Sequence, residues 1–453
     1  MDESRKWDVV VVGGGPAGST AAAMLRRLGH DVVLLERTPH PRFHIGESLL
    51  PFTMPLLDRI GVLPTLTAAG FVEKHGSRFM RADGRLAHTF YFADGLVAGG
   101  SSAYQVTRSR FDHLLLEHSR TCGADVREGH TVREVRFDAD GVLADVDGPD
   151  RHRYAVRGRY LVDATGRDGL AATGLRRRRM DPRLRKAAMY AHFDGAFRDE
   201  GRDAGNTISV VIEGGWAWVI PLERGVTSVG VVVEGSLLRA SGKTPEAYFG
   251  TVLQDVDELR TRLARATRRS DVRVTSDFSY SAPRLYGPRF VVMGDAGFFL
   301  DPVFSSGVHL AVSAGVYGAE ALHQRLTTRT VIDPLRRYAW RMRRAQRLYR
   351  RFIYGWYAPG FLELFLSPTR KLQMLEAVTS VLAGAAVRGR LRRRVWLFFF
   401  LAWLNRHLPV ARAAGPAPVD PGRGQASGRR HDQPLRSAWR RILRHPTRGH
   451  EPL

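Results

Sequence analysis

The sequence predicts an α/β fold with an α+β insertion and a mostly helical C-terminal region. Four consecutive valines, Val9–Val12, precede a glycine-rich turn and an Ala-rich helix. Strand-like segments fill the middle of the chain, and arginine-rich helical segments fill its last quarter. A continuous apolar run is typical of a buried parallel strand, and strand, glycine turn and helix in this order indicate a Rossmann-like unit.

The turn after the valines has the spacing Gly13-x-Gly15-x-x-Gly18. In a dinucleotide site the first glycine permits the tight turn, the second lets the backbone approach a pyrophosphate, and the third lets the following helix, predicted over Ser19–Leu28, pack closely. The next predicted strand ends at Glu36, where a carboxylate binds the adenosine ribose. The combination predicts a dinucleotide site rather than a turn without a ligand.

Two later segments complete this prediction. The strand Phe290–Met293 leads into Gly294 and Asp295, and places that carboxylate where it can bind the ribityl chain of a flavin. An Ala-rich helix is predicted from Val308 to Leu326, and Ser306 and Gly307 offer backbone amides at its N-terminus, which is suited to an anion. Arg108 has two interpretations: its guanidinium contacts a phosphate or the flavin edge, or it forms a salt bridge that caps a helix.

We expect a discontinuous nucleotide-binding body over 1–330, with a substrate-side sheet inserted around 185–280. A basic helical region over 331–408 and a flexible basic tail over 409–453 follow. The net charge is +24, and the segment from Arg336 onward holds 25 Arg or Lys against 5 Asp or Glu. The body is therefore nearly neutral and the C-terminal quarter is strongly basic.

Composition also excludes several classes. A single cysteine, Cys122, rules out an internal disulfide and fits a reducing compartment. The polar N-terminus is not a signal peptide, and no apolar run reaches the ~20 residues of a membrane span, so we expect a cytoplasmic protein. We expect no metal site. No aromatic platform or motif supports nucleic-acid binding.

Taken together, the motifs resemble a known family. The glycine fingerprint, the strand end at Asp163–Gly166 and Gly294-Asp295 are similar to the FAD-dependent aromatic hydroxylase superfamily. Four further segments resemble the flavin-dependent halogenases. They are Gly46–Pro51, Lys74-His75-Gly76, Trp216-x-Trp218-x-Ile220-Pro221 and Asp301–Gly307.

The resemblance implies roles for individual residues. The implied FAD-binding residues are Gly13, Gly15, Ala17, Gly18, Glu36, Arg37, Ser48, Arg108, Asp295 and Gly307. Chloride or bromide is held at Ser306 and Gly307. A separate flavin reductase supplies reduced FAD. Reduced FAD then reacts with oxygen and halide to give hypohalous acid. Trp216 and Trp218 form a wall between flavin and substrate, and the oxidant is relayed to Lys74, where an aromatic ring is halogenated.

One departure bears on the substrate. Family members that act on free tryptophan have a Glu where this chain has Phe304. The segment Phe304–Val308 resembles members that act on phenols or pyrroles, either free or attached to an acyl or peptidyl carrier protein. The resemblance therefore implies halogenation of an electron-rich aromatic in natural-product biosynthesis and disfavours free tryptophan.

Alternatives stay open. A FAD-dependent monooxygenase or a prenyl reductase shares the fold, and a non-catalytic flavoprotein would use the basic tail to hold a partner or a membrane. The ten-residue apolar run Val395–Leu404 follows the basic run Arg388–Arg394 and is too short to span a bilayer. This segment covers the substrate cleft, lies on a membrane surface in peripheral contact, or docks an acidic carrier protein.

Overall fold

The described part of the computed structural model comprises residues 5–149, 152–170, 178–358, 360–368 and 371–407. The predicted flexible tail over 409–453 lies outside these ranges. In chain order the strands are β1 (Lys6–Val12), β2 (Val32–Glu36), β3 (Val72–Lys74), β4 (Gly76–Arg81), β5 (Ala87–Tyr91), β6 (Ala103–Gln105), β7 (Asp125–Glu128), β8 (Thr131–Phe137), β9 (Val142–Asp147), β10 (Arg153–Asp163), β11 (Arg179–Met180), β12 (Lys186–Asp194), β13 (Thr207–Ile212), β14 (Gly215–Pro221), β15 (Val226–Glu234), β16 (Thr267–Arg268), β17 (Arg273–Ser276), β18 (Tyr280–Ser281), β19 (Phe290–Val292) and β20 (Phe298–Phe299).

The helices alternate with these strands and dominate the C-terminal region. They are α1 (Pro16–Arg27), α2 (Met54–Ile60), α3 (Leu63–Ala68), α4 (Arg108–Thr121), α5 (Gly235–Ala240), α6 (Pro245–Asp255), α7 (Asp257–Leu263), α8 (Ser306–Thr327), α9 (Pro334–Trp356), α10 (Phe361–Leu366), α11 (Met374–Leu382) and α12 (Gly389–His407). Within the described ranges, none of them combines the length and the apolar composition needed to cross a bilayer.

The valine run forms the centre of the nucleotide-binding sheet. In the described residues this sheet has seven strands in the order β7-β2-β1-β10-β9-β8, with β19 beside β10. Strands β1, β2, β7 and β19 are parallel to their neighbours, whereas β8 and β9 are antiparallel. Val9, Val10 and Val11 are fully buried, as expected of a parallel strand covered on both faces. The predicted α/β fold class is confirmed.

A second sheet lies across the site and carries the two tryptophans. Among the described residues it has eight strands, in the order β16-β12-β15-β14-β13-β4-β5 with β17 beside β12. The segment expected around 185–280 supplies β12–β17. Strands β4 and β5 come from the N-terminal part of the chain, and β4 joins the sheet through parallel pairing with β13. The sequence patterns did not anticipate this crossover.

The C-terminal helices pack onto the body. Tyr338 of α9 is buried, and its hydroxyl donates to Val292 O at 2.7 Å. Helix α12 packs on α9 through Phe398 and Phe399, whose rings lie 6.1 and 4.8 Å from that of Phe352. These contacts bring the end of α9 to the candidate site.

One predicted helix is interrupted. The pattern from Pro245 to Ala264 predicts a single helix, whereas the structure has α6 and α7 separated at Val256, which has extended backbone (φ −96°, ψ 110°). Val256 is 7% exposed. A buried β-branched side chain in extended backbone reorients α7, so local helix propensity is overridden by packing.

Candidate active site

A cavity of about 950 Å³ is lined by both large sheets and by the start of α8. All the residues predicted to bind FAD contribute to its wall except Gly18, which lies beneath the turn. The lining also includes both predicted halide residues and both tryptophans, but not Lys74. The structure therefore brings three features around one cavity: the glycine fingerprint, the predicted halide loop (Asp301–Gly307) and β14, which carries the two tryptophans.

The three fingerprint glycines are required for different reasons. Gly13 has φ +104°, and a Cβ there would lie 2.3 Å from Ala164 O; a Cβ on Gly18 would lie 1.9 Å from Gly13 O. At Gly15 the nearest protein atom to such a Cβ is Arg42 Nη2, at 3.7 Å. Protein packing explains the first and third glycines, whereas the second leaves backbone accessible to a ligand.

The acidic end of β2 is organised by backbone amides. Glu36 is buried, and its carboxylate accepts from Gly14 N at 2.6 Å and from Thr38 N at 2.9 Å. Arg37 is directed outward, with an ion pair to Asp168 at 2.6 Å. Glu36 is therefore held at the cavity wall in the position expected of a ribose ligand, and Arg37 lies at the rim.

Arg108 is the first residue of α4 and is fully engaged with the protein. Its Nε and Nη2 donate to Asp112 at 2.7 and 2.8 Å, and its Nη1 donates to Ile45 O at 2.7 Å. The carboxylate partner outweighs the cost of burial and raises the pKa of Arg108, and the guanidinium lowers that of Asp112. Arg108 therefore forms the salt bridge that one of its two interpretations predicts. Its hydrogen bond to Ile45 O also holds the loop that contains Ser48.

Asp295 follows β19 on the opposite side of the cavity. Desolvation raises the pKa of its carboxyl group to about 6, although Arg108, Arg167 and Arg178 act in the opposite direction. The carboxyl group lies on the cavity wall, where a hydroxylated ligand chain would offer it donors.

Trp216 and Trp218 lie on the same face of β14, as the alternation of a strand predicts. Their ring centroids are 5.6 Å apart, and both residues are almost fully buried. The indole N–H of Trp218 donates to Ser228 Oγ at 3.1 Å. A Cβ on Gly230 would lie 2.2 Å from the Trp218 ring, so the neighbouring strand carries a glycine where that ring lies flat. The pair forms a rigid aromatic wall of the cavity.

Lys74 ends β3 and is 0% exposed. Its Nζ donates to Ser48 Oγ at 2.8 Å and to Leu49 O at 3.4 Å, and lies 5.1 Å from the centre of the Phe92 ring. Burial lowers the pKa of Lys74 to about 7. An ammonium and a neutral amine are therefore both accessible near neutral pH.

The sequence neighbours Phe71 and Val72 are the first candidates to shield Lys74 from water. The Phe71 ring is buried and lies 6.5 Å from that of Phe111. The side chain beside Nζ is Phe92, from the short 3-10 helix Phe92–Asp94. Tertiary packing, rather than sequence adjacency, supplies the dry environment.

Two polar residues link Lys74 to the cavity. Ser48 Oγ lies 3.0 Å from Thr207 Oγ1, and both residues line the cavity. Gln105 Nε2 donates to Thr207 Oγ1 at 2.9 Å. Lys74, Ser48 and Thr207 thus form a hydrogen-bonded row between a sealed amine and an open space. Sequence reasoning included Ser48 but missed Thr207 and Gln105, which no motif marks.

The predicted halide loop ends at the N-terminus of α8. Ser305 has φ +53°, and Ser306 and Gly307 begin the helix at the cavity wall. The first amides of a helix have no intrahelical acceptor, and the dipole favours an anion there. The structure therefore places both predicted halide residues at a site suited to a small anion.

The loop is also held from the C-terminal region. Asp301 is buried; its carboxylate accepts from Val303 N at 3.0 Å and from the hydroxyl of Tyr357 at 2.7 Å. Burial raises the pKa of Asp301 and that of Tyr357. Tyr357 directly follows α9, and sequence reasoning missed it because no local pattern connects residues this far apart.

Phe304, where the resemblance implies a Glu in members that act on free tryptophan, is not part of the cavity wall. It is 3% exposed and packs among Phe79, Phe352, Trp356 and Phe365, with ring centroids 5.9–6.2 Å from its own. A carboxylate at this position would be surrounded by aromatic carbon. Phe304 is therefore part of the aromatic core, which disfavours a Glu at this position.

The residues present fit FAD. The second glycine leaves room that protein atoms do not fill, Glu36 is positioned by amides, and the cavity continues past the tryptophan pair to the α8 N-terminus. Backbone amides and a helix start suit a pyrophosphate, and the remaining volume suits a flat ring system.

Comparison with known proteins agrees. Residues 6–351 match the FAD binding domain family. The chain is 37% identical to sulochrin halogenase gedL of Aspergillus terreus over 351 residues, which cover 71% of this chain and 64% of gedL. It is 33% identical to the flavin-dependent halogenase ptaM of Pestalotiopsis fici over 379 residues, which cover 78% of this chain and 69% of ptaM.

A solved structure shares the fold. The flavin-dependent brominase Bmp2 superimposes with a TM-score of 0.77 at 27% identity, covering 87% of this chain and 98% of Bmp2. The chain spans about two-thirds of the length of the curated relatives described above. The family match, the relatives and the shared fold lead to one conclusion: this chain belongs to the flavin-dependent halogenases, within the superfamily of FAD-dependent hydroxylases.

Proposed function

We propose that the protein is an FAD-dependent halogenase that oxidises chloride or bromide and transfers the halogen to an electron-rich aromatic ring. The observation that carries the proposal is Lys74: an amine sealed from solvent, with a pKa of about 7, joined through Ser48 to the cofactor cavity. An ordinary structural lysine is solvated or ion-paired, and the contacts of Lys74 are a hydroxyl, a carbonyl and an aromatic ring.

Different residues of the cavity bind the cofactor, bind the halide and exclude the organic substrate. When bound, reduced FAD with oxygen supplies the oxidising power that turns halide into hypohalous acid. Ser306 and Gly307 hold the halide at the helix start, and Trp216 and Trp218 keep the organic substrate away from the cofactor. The fingerprint residues, Glu36, Arg37, Arg108 and Asp295 bind or position the cofactor, and Ser48 lies at the exit toward Lys74.

Lys74 has two chemical options, and its lowered pKa makes both available. As an ammonium it donates a hydrogen bond to the oxygen of hypohalous acid and makes the halogen more electrophilic. As a neutral amine it accepts the halogen and forms an N–halogen bond, with loss of water. In either form the dry surroundings prevent hydrolysis and the ring attacks the halogen beside Lys74.

The inferred substrate class rests on the resemblance and not on a contact of Phe304, which lies in the aromatic core and not on the cavity wall. The segment Phe304–Val308 resembles that of family members acting on phenols or pyrroles, so we infer an electron-rich substrate of this kind, free or attached to an acyl or peptidyl carrier protein. The similar proteins include a sulochrin halogenase and a brominase, and we propose chloride or bromide as the halide.

The partners and the domain division follow the same scheme. Flavin-dependent halogenases need reduced flavin, so a separate flavin reductase completes the system. We propose that residues 1–330 form the FAD-binding body, with the substrate-side sheet inserted around 185–280, and that 331–408 form a basic helical region that stabilises the halide loop through Tyr357.

The test is mass spectrometry of products from the protein with FAD, a flavin reductase, NADH, oxygen and bromide or chloride, on phenols and pyrroles. A Lys74→Met variant runs beside wild type, and Lys243→Met, which removes an exposed lysine, is the matched control. We expect a halogen isotope pattern in wild type and the control but not in Lys74→Met. A product that gains oxygen without halogen would instead assign the monooxygenase alternative.

A further inference from the structure

The outer face of α12 carries three exposed aromatic side chains. Trp396, Phe400 and Trp403 are 59%, 42% and 56% exposed, and we call them the aromatic stripe. Neighbouring rings of the stripe lie nearly parallel, with centroids 5.6 and 6.1 Å apart. Monomeric proteins expose single large apolar side chains, whereas a contiguous row marks an interaction surface.

The stripe is not needed to hold the helix in place. The buried side chains of α12, which include Val395, Phe398 and Phe399, lie on a different face and pack against α9 and α10. Residues spaced by four and three positions share one side of a helix, so the stripe is continuous. The helix thus has one face that secures it to the body and a second apolar face that is exposed.

Positively charged side chains precede the stripe along the chain. The run before it contains Arg388, Arg390, Arg392, Arg393 and Arg394, and we call these residues the arginine run. Arg392 and Arg393 are exposed and lie about one helical turn before Trp396, on the same side. The sequence has no Asp or Glu between Glu376 and the end of α12, so no acidic side chain within that segment neutralises the run.

A third exposed tryptophan lies near the start of the arginine run. Trp340 of α9 is 57% exposed, and the Arg344 guanidinium lies 5.3 Å from its ring centre. Arg344 also donates to Val387 O at 2.8 Å, directly before the arginine run. Trp340 and Arg344 of α9 therefore lie beside the start of the arginine run.

This combination identifies the ligand chemistry. Indole and phenyl rings partition into the head-group region of a bilayer, and arginines beside them are attracted to anionic lipid heads. An acidic protein would also pair with the arginines, so capture of such a protein is one outcome of the test below. We propose that the aromatic stripe and the arginine run bind the surface of anionic lipid membranes, with α12 lying in the plane of the head groups. This surface is separate from the halogenation chemistry.

The test is flotation of the full-length protein with vesicles of phosphatidylcholine alone or with added phosphatidylserine. The stripe variant combines Trp396→Ser, Phe400→Ser and Trp403→Ser, and Phe197→Ser, which removes an aromatic side chain 58% exposed elsewhere, is its control. We expect wild type and the control to float with anionic vesicles. The stripe variant should bind about a hundred-fold more weakly or worse, because about three half-exposed rings lose their apolar contact.

The charge is tested separately. Arg392→Gln with Arg393→Gln should weaken binding to anionic vesicles about thirty-fold, and Arg85→Gln with Arg239→Gln removes equal charge from exposed sites elsewhere and should not. Bromine-labelled lipid chains should quench the tryptophan emission of wild type but not that of the stripe variant. Because the variants leave the site intact, unchanged halogenation and melting temperature would verify their folding.

Three results would overturn the proposal. The first is a wild type that does not float with anionic vesicles. The second is a stripe variant that floats as well as wild type, which would assign binding to another basic segment. The third is capture by an acidic carrier protein through the stripe in the absence of any vesicle binding.

Discussion

The cofactor cavity and the surroundings of Lys74 adjoin each other but differ in polarity and in access to solvent. The cavity is roomy and lined by glycine, carboxylate and backbone amides, so it suits a large charged ligand. Lys74 has no exposed surface, and its surroundings are a hydroxyl, a carbonyl and an aromatic ring. The contrast suggests why halide oxidation and halogen transfer are separated: the first needs anion binding, and the second needs a dry amine.

The largest expected effect comes from removing the amine of Lys74. Lys74→Met should reduce halogenation by at least about a hundred-fold, because the group that activates the halogen is lost. It should also stabilise the fold by about 4 kcal/mol at pH 7, because a pKa lowered from 10.5 to about 7 reflects an unfavourable buried charge. Product analysis and chemical denaturation measure the two effects.

The pH dependence of that stability has a defined sign. The unfolded lysine binds a proton up to about pH 10.5, whereas the folded one releases it near pH 7, so the cost of burial is complete below pH 7 and disappears as the pH rises toward 10.5. The advantage of Lys74→Met should therefore shrink above pH 7. An advantage that does not change with pH would contradict a lowered pKa.

The next effect separates packing from ligand binding on the cavity side. Gly13→Ala should destabilise the protein by several kcal/mol, since its Cβ would collide with Ala164 O in a left-handed backbone. Gly15→Ala should leave the melting temperature of FAD-free protein nearly unchanged and weaken FAD binding. Thermal melts and FAD titrations distinguish them. Equal behaviour of the two variants would refute the distinction between a packing glycine and a ligand glycine.

Phe304→Glu tests whether the chain can be converted toward the tryptophan type by one substitution. We expect no tryptophan halogenation and a loss of about 3 kcal/mol of stability, because the new carboxyl group would be buried among aromatic rings. Phe304→Leu is the matched control and should be milder. Stable Phe304→Glu protein that halogenates tryptophan would show that this position faces substrate after all.

The smallest effect sharpens the role of the C-terminal helices. Tyr357→Phe removes the donor to Asp301, so the halide loop should be held less firmly and the KM for halide should rise about three- to ten-fold, with little change in kcat. Tyr354→Phe, which removes a hydroxyl that donates to Asp181 instead, is the control. A fall in kcat with an unchanged KM would contradict a positioning role.

Sequence patterns predicted the features that depend on local periodicity. The valine strand, the glycine turn and the shared face of Trp216 and Trp218 follow from spacing alone, because backbone geometry fixes them. The helix predicted from Val308 is also present, and it begins two residues earlier, at Ser306. The resemblance to halogenases supplied Lys74, and the structure then showed its burial and its contact with Ser48.

Features that depend on distant parts of the chain were missed. Phe92 beside Lys74, Thr207 beside Ser48 and Tyr357 beside Asp301 are brought together by the crossover of β4 and by the packing of α9. No short pattern encodes such contacts. The break at Val256 was missed for a related reason, since burial there overrides a continuous helical period.

The most direct test of the separation between the two regions is a measurement of free hypohalous acid. The Lys74→Met variant, with reduced FAD, oxygen and bromide but no aromatic substrate, would be assayed with a scavenger dye that reacts with released oxidant. Our account predicts that the variant forms hypohalous acid at the rate of wild type yet halogenates no substrate. Absence of released oxidant, with the cofactor still oxidised, would show that Lys74 takes part in halide oxidation and would contradict the division of labour proposed here.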